Sequence, residues 1–229
     1  MKFNPRMLET YLVGGTQDVN NDPAAFLDKV KQALKAGITA FQYREKGTSK
    51  LTTNEKVEMA RALRKLTHKY GVPLLIDDDE ELALKVAADG VHVGQKDQRI
   101  EEVIQRAHGK LIIGYSCNQV DQVKKANALP IDYIGSGPVF TTHSKDDTDP
   151  VIGLPKLKQL VSLSSHPVVA IGGINSANMA QTLATGVAGL SVISMVLQSK
   201  NIGLTVSEMR QLFNPHRKNY VNYLMLKKR

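Results

Sequence analysis

"PVVAIGGINSANMAQTLATGVAGLSVIS", Pro167 to Ser194, holds two short apolar runs with a helical window between them. "PVVAIGG" reads as a strand ending in glycines, "SANMAQTLATG" as a helix and "GLSVIS" as the next strand. A strand, a helix and a second strand in so short a span form a parallel crossover unit. The strand runs are continuously apolar rather than alternating, the pattern of strands buried on both faces.

The same unit recurs upstream. "ETYLVGG" is a strand, and "DPAAFLDKVKQALKAG" is a helix with Asp22 as N-cap, Pro23 at the first helical position and Gly37 at the exit. Phe26, Val30 and Leu34 form its buried stripe. "AFQYRE" is a second strand, followed by a helix opened by a Thr52–Glu55 capping box and stopped at Gly71. "PLLI", "GVHVG", "KLIIGYS" and "DYIGSGPVF" supply the third to sixth strands, each followed by a helical window. A last helical region follows "GLSVIS". Eight strand–helix units predict an α/β fold, a single-domain (β/α)8 TIM barrel, which typically takes ~250 residues and can take fewer. One domain over residues 1–229 is expected, with the barrel at about 7–213 and a basic tail at 214–229. A doubly wound sheet is the alternative.

Composition narrows the class. Hydrophobic residues make up 42 % and charged residues 23 %, which suits a globular protein with a sizeable core. No run of about 18 apolar residues marks a membrane span, and "MKFNPRMLET" lacks the apolar centre of a signal peptide. The lone cysteine, Cys117, cannot form an internal disulfide, in keeping with a cytoplasmic location. It is read as a small filler at a strand end. Five of the eight net positive charges come from Arg217, Lys218, Lys227, Lys228 and Arg229 in the tail. The basicity therefore belongs to the tail and not to a nucleic-acid-binding body. Neither nucleic acid nor membrane is expected as a partner, and a homo-oligomer stays open.

A barrel of this kind carries its chemistry on the loops after the strands. The second strand delivers Gln42, Arg44 and Lys46, whose spacing of two puts them on one side of an extended segment. The third delivers Asp77, Asp78 and Asp79, the fourth Gln95 and Asp97, the fifth Ser116, and the sixth Thr142, Ser144 and Lys145. The seventh delivers Gly172 and Gly173, and the eighth Ser194. The loops after strands seven and eight form the common phosphate site of such barrels. Asp78 and Asp97 are the candidate ligands for Mg2+, a hard cation usually held by one or two carboxylates and substrate phosphates. Asp79 is placed to cap the following helix, and Asp97 could cap its own. His92 reads as a structural histidine of the barrel interior. No zinc spacing, Walker loop or dinucleotide fingerprint is present.

"QYREKG" (Gln42–Gly47), "LLIDDDEELAL" (Leu74–Leu84), "ADGVHVGQKD" (Ala88–Asp97), "IGYS" (Ile113–Ser116), "YIGSGPVFTTHSK" (Tyr133–Lys145) and "VVAIGGI…GLSVIS" stand in an order that resembles the thiamine-phosphate synthase family, from about Tyr11 to Met195. The resemblance implies a Mg2+-dependent transferase of thiamine biosynthesis. Such an enzyme joins hydroxymethylpyrimidine diphosphate to thiazole phosphate, giving thiamine phosphate and pyrophosphate. It implies that Gln42, Arg44, Lys46, Asp77, Ser116 and Lys145 serve the pyrimidine diphosphate. Thr142, Ser144, Gly173, Ile193 and Ser194 would serve the thiazole phosphate, and Asp78 and Asp97 the metal. Two departures stand out: Asp77, where the family usually has Asn, and Thr141, where many members have Pro. An ionised Asp accepts hydrogen bonds but does not donate them. A thiazole tautomerase-like relative and a non-catalytic phosphate-binding barrel are the other readings. Retention of the Arg44–Lys46 cations weighs against the tautomerase, which has no diphosphate to neutralise.

Overall fold

The computed structural model describes residues 1–95, 99–107, 109–142 and 150–214. Eight parallel strands, β1 (Thr10–Gly14), β2 (Ala40–Tyr43), β3 (Leu74–Asp77), β4 (Gly90–Val93), β5 (Ile112–Ser116), β6 (Tyr133–Ser136), β7 (Val168–Ile171) and β8 (Gly189–Val192), pair in chain order. The barrel closes where β8 returns to β1, with Thr10 opposite Leu190 and Leu12 opposite Val192. The alternative doubly wound sheet is thereby excluded. The basic tail lies almost wholly outside the described residues.

The helices form as the caps and stripes predict. In α1 (Pro23–Ala36) the Asp22 carboxylate accepts from the N–H groups of Ala24 and Ala25, and Gly37 leaves the helix at φ 95°. In α2 (Thr53–Lys69) the Thr52 hydroxyl and the Glu55 carboxylate cap each other's backbone. Asp79 opens α3 (Glu80–Lys85) by accepting from the N–H of Leu82 at 2.8 Å. Next come α4 (Ile100–Ala107), α5 (Val120–Ala126), α6 (Gly153–Leu163), α7 (Met179–Leu183), α8 (Ser194–Leu197) and α9 (Ile202–Leu212). Helix α7 is shorter than "SANMAQTLATG" suggests. The Asn178 side chain bonds the Asn175 N–H and the Gly173 carbonyl, which holds the preceding residues in a turn.

Alternate strand residues face opposite ways. Outside, Phe41 and Tyr43 pack on Phe26 of α1, with ring centroids 6.2 and 6.3 Å apart. Inside, the layer below the mouth is polar. The hydroxyls of Tyr11 and Tyr133 meet at 2.9 Å across the lumen. The Gln42 amide donates to the Tyr11 hydroxyl at 3.0 Å, and the Tyr133 hydroxyl bonds His92 Nδ1 at 3.0 Å. Glycines make room for these rings. A Cβ on Gly114 would stand 2.2 Å from Tyr133 Cζ, and one on Gly135 would stand 2.8 Å from His92 Cε1.

At the other end of the barrel, side chains just before the even strands fasten the starts of the odd ones. Thr39 Oγ1 accepts from the Thr10 N–H, Asp89 from the Leu74 N–H and Asp132 from the Ile113 N–H, at 2.8 to 3.0 Å. Each bond satisfies a backbone donor that the parallel ladder leaves unpaired. The strands are thus pinned at their N-terminal ends, and their C-terminal ends are left to carry the loops.

Candidate active site

The loops at the C-terminal ends of the strands surround a cavity of about 950 Å3. One wall comes from the β2 end, with Arg44, Lys46, Gly47 and Thr48. The opposite wall comes from the β6, β7 and β8 ends, with Thr141, Thr142, Gly173, Asn175, Ser194 and Gln198. The two sequence-derived groups, cations and phosphate-type residues, therefore face one space.

Arg44 and Lys46 follow β2, and both turn to the same carboxylate. Arg44 Nε lies 3.4 Å and Lys46 Nζ 3.6 Å from Asp77 Oδ2. The Arg44 and Asp77 side chains are each 8 % exposed, so solvent and salt screen this pair weakly. Lys46 Nζ also contacts Asp78 Oδ2. Glu45, between the two cations, engages the β1 loop instead of Asp77. It accepts from the Thr16 N–H at 3.0 Å and the Ser49 hydroxyl at 2.5 Å, tying the β1 and β2 loops together.

Asp78 adopts φ 59°, in the left-handed region that costs a residue with a Cβ. Its amide donates to the His92 carbonyl at 2.8 Å, and its Oδ1 accepts from the Gly94 N–H at 3.3 Å. The strained turn is thus held by β4 and delivers a carboxylate at the mouth. Ser116, the last residue of β5, bonds His92 Nε2 at 2.9 Å, so His92 joins the Tyr133 layer to the rim. The histidine is structural, as its sequence suggests. Ile193 is buried directly before Ser194, at the start of α8. Gly172 and Gly173 take φ 96° and 67°, and the amides of Val139 and Phe140 donate to the carbonyls of Ile171 and Gly172. That tight approach needs residues without a Cβ: one on Gly173 would lie 2.6 Å from the Thr141 carbonyl oxygen. Asp97, Ser144 and Lys145 lie outside the described residues.

The two tyrosines of the lumen stay neutral. Burial pushes the Tyr11 and Tyr133 phenols far above their ordinary value. Burial also raises the Cys117 thiol to about 12, in line with a filler role. With His92 bonded on both nitrogens, no imidazole of the described residues lies open to the cavity as a general base. The arrangement is equipped to bind and stabilise anionic charge.

Sequence reasoning missed the β1 loop. Gln17 and Asp18 line the cavity, and Gln17 Nε2 donates to the Arg44 carbonyl at 2.7 Å. The Asp18 carboxyl is raised by burial, against the opposing influence of the Gly15 N–H and Arg44. Applying the strand-end rule to the first strand as well would have found both residues. Lys56, from the first turn of α2, also reaches the cavity and was missed.

The thiamine monophosphate synthase family matches this chain over residues 10–196. The thiamine-phosphate synthase of Limosilactobacillus reuteri is 56 % identical over 93 % of this chain and 100 % of its own length. That of Pediococcus pentosaceus is 50 % identical over 93 % and 99 %. Among solved structures, the thiamine phosphate pyrophosphorylase from Pyrococcus furiosus superposes with a TM-score of 0.79 at 35 % identity, covering 91 % of this chain and 96 % of that one.

Proposed function

The chain belongs to the thiamine monophosphate synthase family, a thiamine-phosphate synthase in fold and in sequence, and we propose that its transferase site is the cavity between Arg44–Lys46 and Thr142–Gly173–Ser194. The observation that carries this assignment is the convergence of a cation pair, Arg44 buried and Lys46 half-buried, and a glycine-lined phosphate-type wall on one space. The reaction needs two anionic substrates side by side, and the cavity has two such walls.

On this reading the pyrimidine diphosphate lies against Arg44 and Lys46, with Gln42 below it and Ser116 beside it. Tyr11 fixes the Gln42 amide from beneath, so the amide presents a defined face to the pyrimidine. The thiazole phosphate lies on Thr142, Gly173 and Ser194, where backbone N–H groups and hydroxyls suit its oxygens. Ser144 and Lys145, from the same loop as Thr142, are assigned to the thiazole phosphate and the diphosphate respectively.

Chemistry follows from charge. When the carbon–oxygen bond to the diphosphate breaks, its electron pair stays on the leaving oxygen, and Arg44 and Lys46 stabilise the growing negative charge. The pyrimidine-stabilised cation is captured by the thiazole nitrogen, whose lone pair forms the new bond. No proton leaves either substrate in that capture, which agrees with a site that presents donors and cations rather than a base.

The donor set fits Mg2+. Asp78 brings a carboxylate to the mouth, its amide donating to the His92 carbonyl and its Oδ1 accepting from the Gly94 N–H. Among the described residues no three acidic, histidine or cysteine side chains cluster as a protein-only metal cage. That suits a cation held by one or two carboxylates plus substrate phosphates and water. Asp78 would hold it, with Asp97 as the second carboxylate, and the bound ion would neutralise diphosphate charge. A cytoplasmic setting goes with this reading. No described helix is long and apolar enough to cross a membrane.

The test is to incubate purified protein with both substrates and Mg2+ and to measure pyrophosphate and thiamine phosphate. Arg44→Ala is expected to raise KM for the pyrimidine diphosphate, and Ser194→Ala that for the thiazole phosphate. Folded protein that forms neither product would overturn the assignment.

A further inference from the structure

The carboxylate that faces Arg44 and Lys46 stands behind the two cations that line the cavity. Asp77 Oδ2 lies 3.4 Å from Arg44 Nε and 3.6 Å from Lys46 Nζ. A single oxygen reached by a guanidinium and an ammonium is the contact a diphosphate oxygen would make with the same two donors. Lys46 has a second carboxylate, Asp78, against its ammonium. Arg44, Lys46, Asp77 and Asp78 cancel to zero net formal charge.

We propose that Asp77 is a built-in competitor for the diphosphate: its carboxylate holds Arg44 and Lys46 between turnovers and takes them back when pyrophosphate leaves. This rests on the reading that the pyrimidine diphosphate lies on those two cations. Two observations support it. Asp77 is the last residue of β3, and the Asp78 amide bonded to the His92 carbonyl fixes the backbone beyond it, so its carboxylate cannot swing away with a loop. Its side chain and that of Arg44 are almost completely buried, so their attraction is weakly screened. The cations are thus preorganised by an anion of lower charge than pyrophosphate. A fully ionised product exchanges against a partner already in place, instead of leaving the buried Arg44 guanidinium and the half-buried Lys46 ammonium bare. Leaving the buried guanidinium unpaired would be costly. The carboxylate weakens binding of substrate and product alike, and it favours release of the product, which no longer gains from contacts with the pyrimidine carbon.

The experiment is calorimetric titration of inorganic pyrophosphate into the folded full-length chain, with EDTA present and again with Mg2+. Asp77→Asn keeps the shape and removes the charge. It is expected to bind metal-free pyrophosphate roughly tenfold more tightly, the size of one charge-assisted contact no longer opposed. A merely structural role would predict weaker binding, not tighter. Asp77→Ser gives a second variant should the first fail to fold by thermal melting. Glu81→Gln removes a charge from a side chain 84 % exposed on the neighbouring helix, and is expected to change binding less than about twofold. Unchanged or weaker binding in Asp77→Asn, with Arg44→Ala still losing affinity, overturns the competitor. Equal tightening by Glu81→Gln also overturns it, because the effect would then be long-range charge. Pyrophosphate affinity untouched by Arg44→Ala refutes the underlying placement of the diphosphate instead.

Discussion

Removing one oxygen, in Tyr133→Phe, should test the polar layer inside the barrel. Tyr133 is fully buried, and its hydroxyl bonds the Tyr11 hydroxyl at 2.9 Å and His92 Nδ1 at 3.0 Å. The substitution keeps the ring and its packing against Gly114. It deletes both bonds and leaves a Tyr11 hydroxyl and a histidine nitrogen short of a partner. At about 1 kcal/mol net per neutral bond, plus the cost of the groups left unsatisfied, the loss should be about 2–3 kcal/mol. For a domain of this size that lowers Tm by about 4–12 °C. Far-ultraviolet circular dichroism melts of parent and variant give the number. The double variant Tyr11→Phe/Tyr133→Phe sharpens the test, because the two residues share a bond. Its loss should fall short of the sum of the single losses by about 1 kcal/mol. A Tyr133→Phe melt within about one degree of the parent, or strict additivity in the double variant, would show that the layer contributes only packing.

Three further outcomes follow from the same structure. Cys117, completely buried with its thiol raised to about 12, should resist a water-soluble thiol reagent in the native state and react once denaturant unfolds the chain. Gly172→Ala meets φ 96° and a Pro138 Cα 2.5 Å from the new Cβ, whereas Gly109→Ala meets φ 70° and open space. Urea unfolding should find the first more costly by about 1–3 kcal/mol, the overpacking contribution alone. Asp18 has a folded pKa raised above its unfolded value, so the folded state holds the proton more tightly and stability falls as pH climbs through that window. Replacing it with Asn removes that slope. Urea midpoints compared at about pH 7 and about pH 4 should show the variant's advantage shrinking on acidification.

The architecture was legible because it is written in local chemistry. Asp22, the Thr52–Glu55 pair and Asp79 cap the helices their neighbours predicted, and the doubly buried apolar runs became the parallel strands. Gln42 and His92 were expected inside the barrel, and both are there. What remained invisible depends on distance along the chain. Tyr11 and Tyr133 lie 122 residues apart, and the glycines that admit their rings look, in sequence, like ordinary strand glycines. "GGTQDV" has no periodicity to mark it, and the Glu45 that staples its short turn lies 29 residues from Thr16, so only its place after β1 points to Gln17 and Asp18. Asp77 was noted as a departure by residue type. That it faces both cations could not be read from a run of three acids, in which Asp78 also meets Lys46 and Asp79 caps α3.

The seam between β1 and β8 has a bearing on how the molecule comes into being. Thr10 waits for Leu190, so the first strand emerging from the ribosome has one neighbour, β2, for most of synthesis. Parallel pairing between such distant segments carries a large loop-closure cost and is slow to form. Until β8 arrives, the growing sheet presents two unsatisfied edges, the kind of surface on which chains stick to one another. Ser194 lies two residues beyond the end of β8, so the phosphate wall is completed by the same event that seals the barrel. A chain stopped short of that strand would hold most of the cations and glycines and still have no closed site between them.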